Sequence, residues 1–141
     1  MIGILIVAHE TLGECLIRCA THVLGALPPH LLHVAVRPDD DPQAVVPAAK
    51  RLVAELDRGA GVLVLTDIFG ATPCNIACQL IVPGRVEGVA GVSLPMLMRA
   101  LTYRNESLET LVERALSGGR DGVARMPSSD TEKCSSEKLR L

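Results

Sequence analysis

Tryptophan is absent from this chain, and phenylalanine and tyrosine occur once each. A core must therefore be built from aliphatic side chains, and there is no set of rings on which nucleobases could stack. A basic excess is missing too: 14 Lys and Arg against 16 Asp and Glu leave a formal charge of -2. With nothing to hold a phosphate backbone, nucleic-acid binding is not expected. The amino terminus is apolar but carries no basic leader, no membrane-spanning length of apolar residues and no small-residue cleavage site. That pattern argues against a signal peptide or membrane insertion and for the cytoplasm. Cysteines number five, an odd count that suits reduced thiols better than a disulfide framework. Cys15 with Cys19, and Cys74 with Cys78, fall i, i+4 on predicted helices but lack the C-x-x-C knuckle of a zinc site. No metal is expected, and small buried hydrophobes are the simpler role for these thiols.

What the chain does contain is alternation. At 141 residues it can bury one sizeable core, which favours a single domain of the α/β class. The run Ile2 to Ala8 is continuous, apolar and β-branched, so it reads as a buried parallel strand. A helix follows, with Leu12, Cys15, Leu16, Cys19, Ala20, Val23 and Leu24 on its apolar stripe, ended by Gly25 and Pro28-Pro29. His33 to Val36 supplies a second strand. The polar cluster Arg37 to Pro42 then offers an N-cap for a helix over 43 to 57, closed by Gly59 and Gly61. Gly61 to Thr66 is a third strand, followed by a helix to about 82. Val86 to Val92 is a fourth, after which Ser93-Leu94-Pro95 opens a helix through Tyr103. A last helix, 106 to 117, is ended by Gly118-Gly119, and a short strand is expected over 122 to 126. The domain thus spans 1 to 126. From 127 to 141 the composition is too polar to offset ordering entropy, so a disordered tail is expected.

Two places concentrate chemistry. His9 stands at the carboxyl end of the first strand, the edge where ligands bind in open α/β sheets. Asp67 stands at the corresponding end of the third, and becomes its neighbour if those strands are adjacent. A carboxylate accepting from one ring nitrogen fixes the tautomer and leaves the other as a nucleophile. In Gly70-Ala71-Thr72-Pro73, glycine permits unusual backbone angles, Thr72 can cap a helix, and Pro73 suits its first position. Free N–H groups and the Thr72 hydroxyl there could receive phosphate oxygens, although the same residues could serve only to cap the loop. His22, His30 and His33 need no ligand role, and Arg99 and Arg104 read as a solvated face or as partner contacts.

Four blocks occur in order: Gly3 to His9, Thr66 to Asn75, Gly88 to Leu97, and Gly119 to Val123. In these the chain resembles the mannose-type enzyme IIA domains of the phosphoenolpyruvate-dependent sugar phosphotransferase system (PTS), over most of residues 1 to 126. The resemblance implies a three-layer α/β/α sheet of four parallel strands in order 2-1-3-4. It also implies a carboxyl-terminal antiparallel strand that can be exchanged within a homodimer. His9 would be the phosphoryl acceptor, charged at Nε2 by HPr and discharged to a IIB protein or domain, with Asp67 orienting the ring. Gly70, Ala71 and Thr72 would hold the phosphate, threonine standing where family members often have serine. No cofactor is implied. A stand-alone IIA protein is the expectation, its phosphorylation state serving either transfer or regulation.

Three other readings stay open at this point. The phosphotransfer subunit of dihydroxyacetone kinases is similar and also uses an amino-terminal histidine, although Pro95-Met96-Leu97 suits the mannose type better. A small-ligand-binding α/β module would use the same sheet edge, but the chain lacks G-x-G-x-x-G after its first strand and a P-loop lysine. A thiol redox protein would depend on Cys74, whose neighbour Asp67 would disfavour the thiolate.

Overall fold

The computed structural model describes residues 1 to 130. Nine elements alternate along the chain: β1 (Gly3–His9), α1 (Leu12–Leu24), β2 (Leu31–Val36), α2 (Pro42–Leu56), β3 (Val62–Thr66), α3 (Thr72–Cys78), β4 (Val86–Ala90), α4 (Leu94–Tyr103) and α5 (Leu108–Asp121). The four strands form one parallel sheet in the order β2-β1-β3-β4. β1 is therefore central, and its residues from Gly3 to Ala8 are all buried. Successive side chains of a strand face opposite ways, so a strand covered on both sides must be apolar throughout. Ile4, Ile6 and Ala8 join Leu63, Leu65, Val89 and the inner faces of α1, α4 and α5. Leu5 and Val7 join Val62, Val64, Val86 and the inner faces of α2 and α3. The three layers are thus α1, α4 and α5 below the sheet and α2 and α3 above it. By strand parity, His9 belongs to the side of Leu5 and Val7.

The capping chemistry is local and legible. Asp41 accepts from the Gln43 N–H at 3.0 Å, and Ser93 and Ser107 accept from the third residue after each. Gly25 ends α1 in the left-handed conformation.

Several expectations need correction. The buried face of α1 is Gly13, Ile17 and Ala20, so Leu12, Cys15, Cys19, Val23 and Leu24 are exposed. Cys78 is exposed as well, leaving Cys74 as the one buried thiol among the described residues; Cys134 lies outside them. α3 ends at Cys78 rather than near 82. Gly118 and Gly119 lie inside α5, not at its end. Gly118 is needed for close approach, since a Cβ there would sit 2.9 Å from the Arg99 Cβ, whereas one on Gly119 would meet only the flexible end of Met96, at 2.7 Å from its Cε. No strand forms over 122 to 126 in this single chain; Val123 and Met126 are each 84% exposed. The predicted tail, 127 to 141, is exposed as far as residue 130 and then lies outside the described residues.

Arg99 and Arg104 are structural rather than solvated. Arg99 pairs with Asp121 at 2.8 Å and donates to Ser117, tying α4 to α5. Arg104 is buried, and its guanidinium donates to three main-chain carbonyls: Ile2 at 3.0 Å, Pro29 at 2.6 Å and His30 at 2.6 Å. The Ile2 N–H in turn donates to the Arg104 carbonyl at 3.0 Å. One side chain thereby locks the end of α4 to the start of β1 and to the loop before β2. Burial draws its pKa down to about 10, so it is still charged at neutral pH.

Candidate active site at the carboxyl edge of the sheet

Parallel pairing sets Val7 beside Thr66. His9 and Asp67, just beyond that pair, therefore meet at one edge of the sheet. The Asp67 Oδ2 lies 2.7 Å from His9 Nδ1 and also accepts the His9 main-chain N–H at 3.1 Å. The Oδ1 accepts the Ile68 N–H at 3.0 Å. Burial works to raise the Asp67 pKa, but the bonds from the His9 ring, the His9 N–H and the Ile68 N–H outweigh it and hold the carboxyl below its ordinary value. An ionised carboxylate can only accept, so Nδ1 carries the proton and Nε2 keeps its lone pair. The His9 side chain is 43% exposed against 10% for Asp67. The His9 ring is thus open to solvent while the carboxylate that anchors it is sheltered.

His9 opens onto a cleft of about 480 Å³, lined also by Glu10, Val36, Arg37, Asp40 and Thr72. Glu10 adopts φ of +51°, unusual for a residue with a Cβ. Strain next to a reactive side chain recurs where geometry is enforced by function. Here the Glu10 N–H donates to the Val36 carbonyl at 3.0 Å, and its carboxylate meets Arg37 NH1 at 3.2 Å.

The expected phosphate loop is present in altered detail. Gly70 takes φ of +87°, which turns the chain from β3 towards α3. Ala71, not Thr72, is the N-cap; Thr72 is the first helical residue and makes no capping bond. The Ala71 N–H is already spent on the Ile68 carbonyl at 3.2 Å. Among the described residues no acceptor engages the Gly70 or Thr72 N–H. Of the three expected residues, Thr72 lines the cleft with His9, whereas Gly70 and Ala71 are not among its lining residues.

Reading the sequence alone missed Glu10 and Arg37. The available signal was positional: Arg37 follows Val36, which the register sets beside His9. It also missed that Phe69, the chain's single phenylalanine, is 86% exposed on the loop after Asp67, beside an exposed Ile68. Among the described residues no three His, Cys, Asp or Glu side chains are grouped to hold a metal ion. No helix among them is long and apolar enough to cross a membrane.

Comparison with known proteins agrees with this fold. A family profile described as "PTS system fructose IIA component" matches residues 3 to 116. The PTS system mannose-specific EIIAB component of Escherichia coli strain K12 is 31% identical over 135 residues, covering 94% of this chain and 42% of that protein. This chain thus spans about two fifths of the length of that relative. Among solved structures, phosphotransferase system component EIIA from Streptococcus agalactiae superposes with a TM-score of 0.79 at 25% identity, covering 89% of this chain and 97% of the other. The mannose/sorbose specific IIA subunit from Enterococcus faecalis shares the fold, with a TM-score of 0.81 at 20% identity over 92% and 98% of the two chains. With its four parallel strands in the order 2-1-3-4, this chain belongs to the mannose-type family of PTS IIA components, which are phosphotransferases.

Proposed function

We propose that His9 is the phosphoryl acceptor of this IIA component, taking the group from HPr at Nε2 and passing it to a IIB protein or domain. The observation that carries the reading is the 2.7 Å contact between Asp67 Oδ2 and His9 Nδ1. It supplies the tautomer that in-line attack requires. The Nε2 lone pair forms the new N–P bond while the donor's N–P bond breaks and its electron pair returns to the donor's ring nitrogen. Both rings keep the proton on their other nitrogen, so no proton need leave the site. The phosphorylated His9 ring is then cationic, and the Asp67 carboxylate beside it stabilises that charge. The free N–H groups of Gly70 and Thr72 and the Thr72 hydroxyl are the proposed donors to phosphoryl oxygens, with Ala71 as the N-cap that holds the loop. The name of the EIIAB relative joins an A and a B component in one protein, which supports a IIB acceptor. The exposed Ile68 and Phe69 beside the site suit docking of a protein donor and acceptor. With such partners we infer that the protein works in the cytoplasm.

The test is incubation with phosphoenolpyruvate, enzyme I and HPr, then intact mass and peptide mapping under conditions that preserve phosphoramidates. A single phosphate-sized gain on the peptide containing His9, dependent on HPr, is the expected result. No gain with an active HPr from the same organism would sink the carrier reading.

The same reading includes a homodimer. β4 is an edge strand, and an open edge on a small sheet invites pairing. The exposed Val123 and Met126 lie on the segment that would supply a fifth strand to a partner copy. Light scattering should show a dimer for the full chain and a monomer after removal of residues 120 to 141. A monomer in both cases would remove strand exchange.

A further inference from the structure

We propose that Arg37 is the cation that holds the phosphoryl group on His9, and that Glu10 keeps it in reserve while His9 is unphosphorylated. The inference rests on His9 being the acceptor and adds a residue to that site. The geometry places Arg37 there by two independent routes: register, since Val36 lies beside His9 across the sheet, and the cleft, since His9, Glu10, Arg37 and Thr72 share its lining. Arg37 is the one lysine or arginine among the lining residues.

The charge around it is otherwise negative. Asp67 bonds the His9 ring, Glu10 follows His9 directly, and the Asp40 carboxylate accepts the Arg37 N–H at 2.7 Å. A phosphoryl group adds close to two further negative charges at neutral pH. Asp67 answers the cationic ring, but without a further cation the phosphoryl oxygens would be opposed by the Glu10 and Asp40 carboxylates that share the cleft.

In the unphosphorylated protein the guanidinium meets Glu10 Oε2 through NH1 at 3.2 Å, with both side chains more than half exposed. A single-contact exposed pair of this kind is weak. A phosphoryl group offers more charge and a second acceptor oxygen for the planar guanidinium fork, so exchange of Glu10 for phosphate is favourable. Glu10 lines the same cleft, so its carboxylate can receive Arg37 again after transfer. Arg37 makes and breaks no covalent bond; it stabilises the charged product.

Two donors test this. Phosphoramidate phosphorylates histidine without a protein: the PO3 group moves from its nitrogen to Nε2 and ammonia leaves. HPr, charged by enzyme I, is the second donor. With either, the phosphorylated fraction and the pH midpoint of the phosphoryl ³¹P signal are compared in wild type, Arg37→Gln, Glu10→Gln and the double variant. Groups facing the phosphoryl are His9, Asp67, Glu10, Asp40 and Arg37, so the first two are left unchanged throughout.

Arg37→Gln should lower the phosphorylated fraction at equilibrium with HPr by roughly tenfold and raise the ³¹P midpoint. Glu10→Gln should move both the other way, and by a smaller factor in the Arg37→Gln background than in wild type, because Glu10 acts through Arg37 as well as by direct repulsion of the phosphoryl charge. Wild-type values in Arg37→Gln would overturn the proposal. So would a Glu10 effect that is as large without Arg37 as with it. Charging by phosphoramidate but not by HPr would overturn the HPr reading while leaving Arg37 testable. Failure of His9 to take phosphate from either donor would overturn both. Arg37 is exposed, so thermal melting should confirm that each variant folds as wild type does.

Discussion

Asp67→Asn is expected to reduce phosphoryl uptake from HPr by about 10³- to 10⁴-fold while leaving the fold intact, the magnitude being that of the same tautomer error in a serine protease. The reason is a proton on the wrong nitrogen. The Asp67 carboxylate accepts from Nδ1, and so Nε2 is free. A carboxamide retains one acceptor, which in the place of Oδ1 would still serve the Ile68 main-chain N–H, while the His9 main-chain N–H loses its acceptor. Its NH2, facing Nδ1, would favour the tautomer with the proton on Nε2, and the attacking lone pair is then lost. Steady-state transfer from phosphorylated HPr measures the rate, and the ring ¹⁵N shifts of His9 report the tautomer. Normal transfer with an altered tautomer would separate Asp67 from the chemistry.

The same carboxylate sets a pH window. Its folded pKa is lowered, so the stability it contributes is fully present above the unfolded value of 3.8 and is lost as pH falls through the lower folded value. Asp67→Asn should remove that part of the acid sensitivity, visible as a flatter urea midpoint against pH below about 4.

The second large effect is expected far from the chemistry. Arg104→Ala should cost about 3–5 kcal/mol, a large share of the ~5–15 kcal/mol typical of a domain. The substitution leaves the carbonyls of Ile2, Pro29 and His30 without their donor and opens a hole at the junction of α4, β1 and the loop before β2. Arg104→Lys retains the charge but has no planar fork to reach three carbonyls, so it should fall between. Urea unfolding gives the comparison. A loss under ~1 kcal/mol for Arg104→Ala would show that the clamp is dispensable.

The parts of the fold legible in the sequence were those set by local chemistry. β1 and β3 are continuous apolar runs, Asp41 caps α2, and Gly25 ends α1, all as their residue types dictate. The pairing of His9 with Asp67 was legible once β1 and β3 were adjacent, an order implied by the family resemblance rather than by either strand alone. The errors share a cause: long-range packing decides them. Cys15, Cys19 and Val23 form as good an apolar stripe as Gly13, Ile17 and Ala20, but it is the small Gly13 that lets α1 approach β2. A Cβ there would sit 2.9 Å from the His33 Cβ. Gly118 and Gly119 look like a helix stop but pack against Arg99 and Met96 of α4, Gly118 buried there. Arg104 looks solvated because its three acceptors are main-chain carbonyls, which leave no mark in the sequence. Thr72 was expected to be the cap and Ala71 the residue before it; Ala71 takes the cap position because its backbone is extended there.

The central place of β1 has a consequence for how the site fluctuates. Amides in a strand paired on both sides and covered on both faces exchange with solvent only when the whole domain opens. His9 is the last residue of that strand, whereas Asp67 begins an exposed connection leading to the seven-residue α3. His9, the proposed nucleophile, is thus anchored to the slowest-opening part of the molecule, whereas Asp67 is held from the loop side by the Ile68 and Gly91 N–H groups. The position of the imidazole backbone is therefore inherited from the stability of the entire sheet.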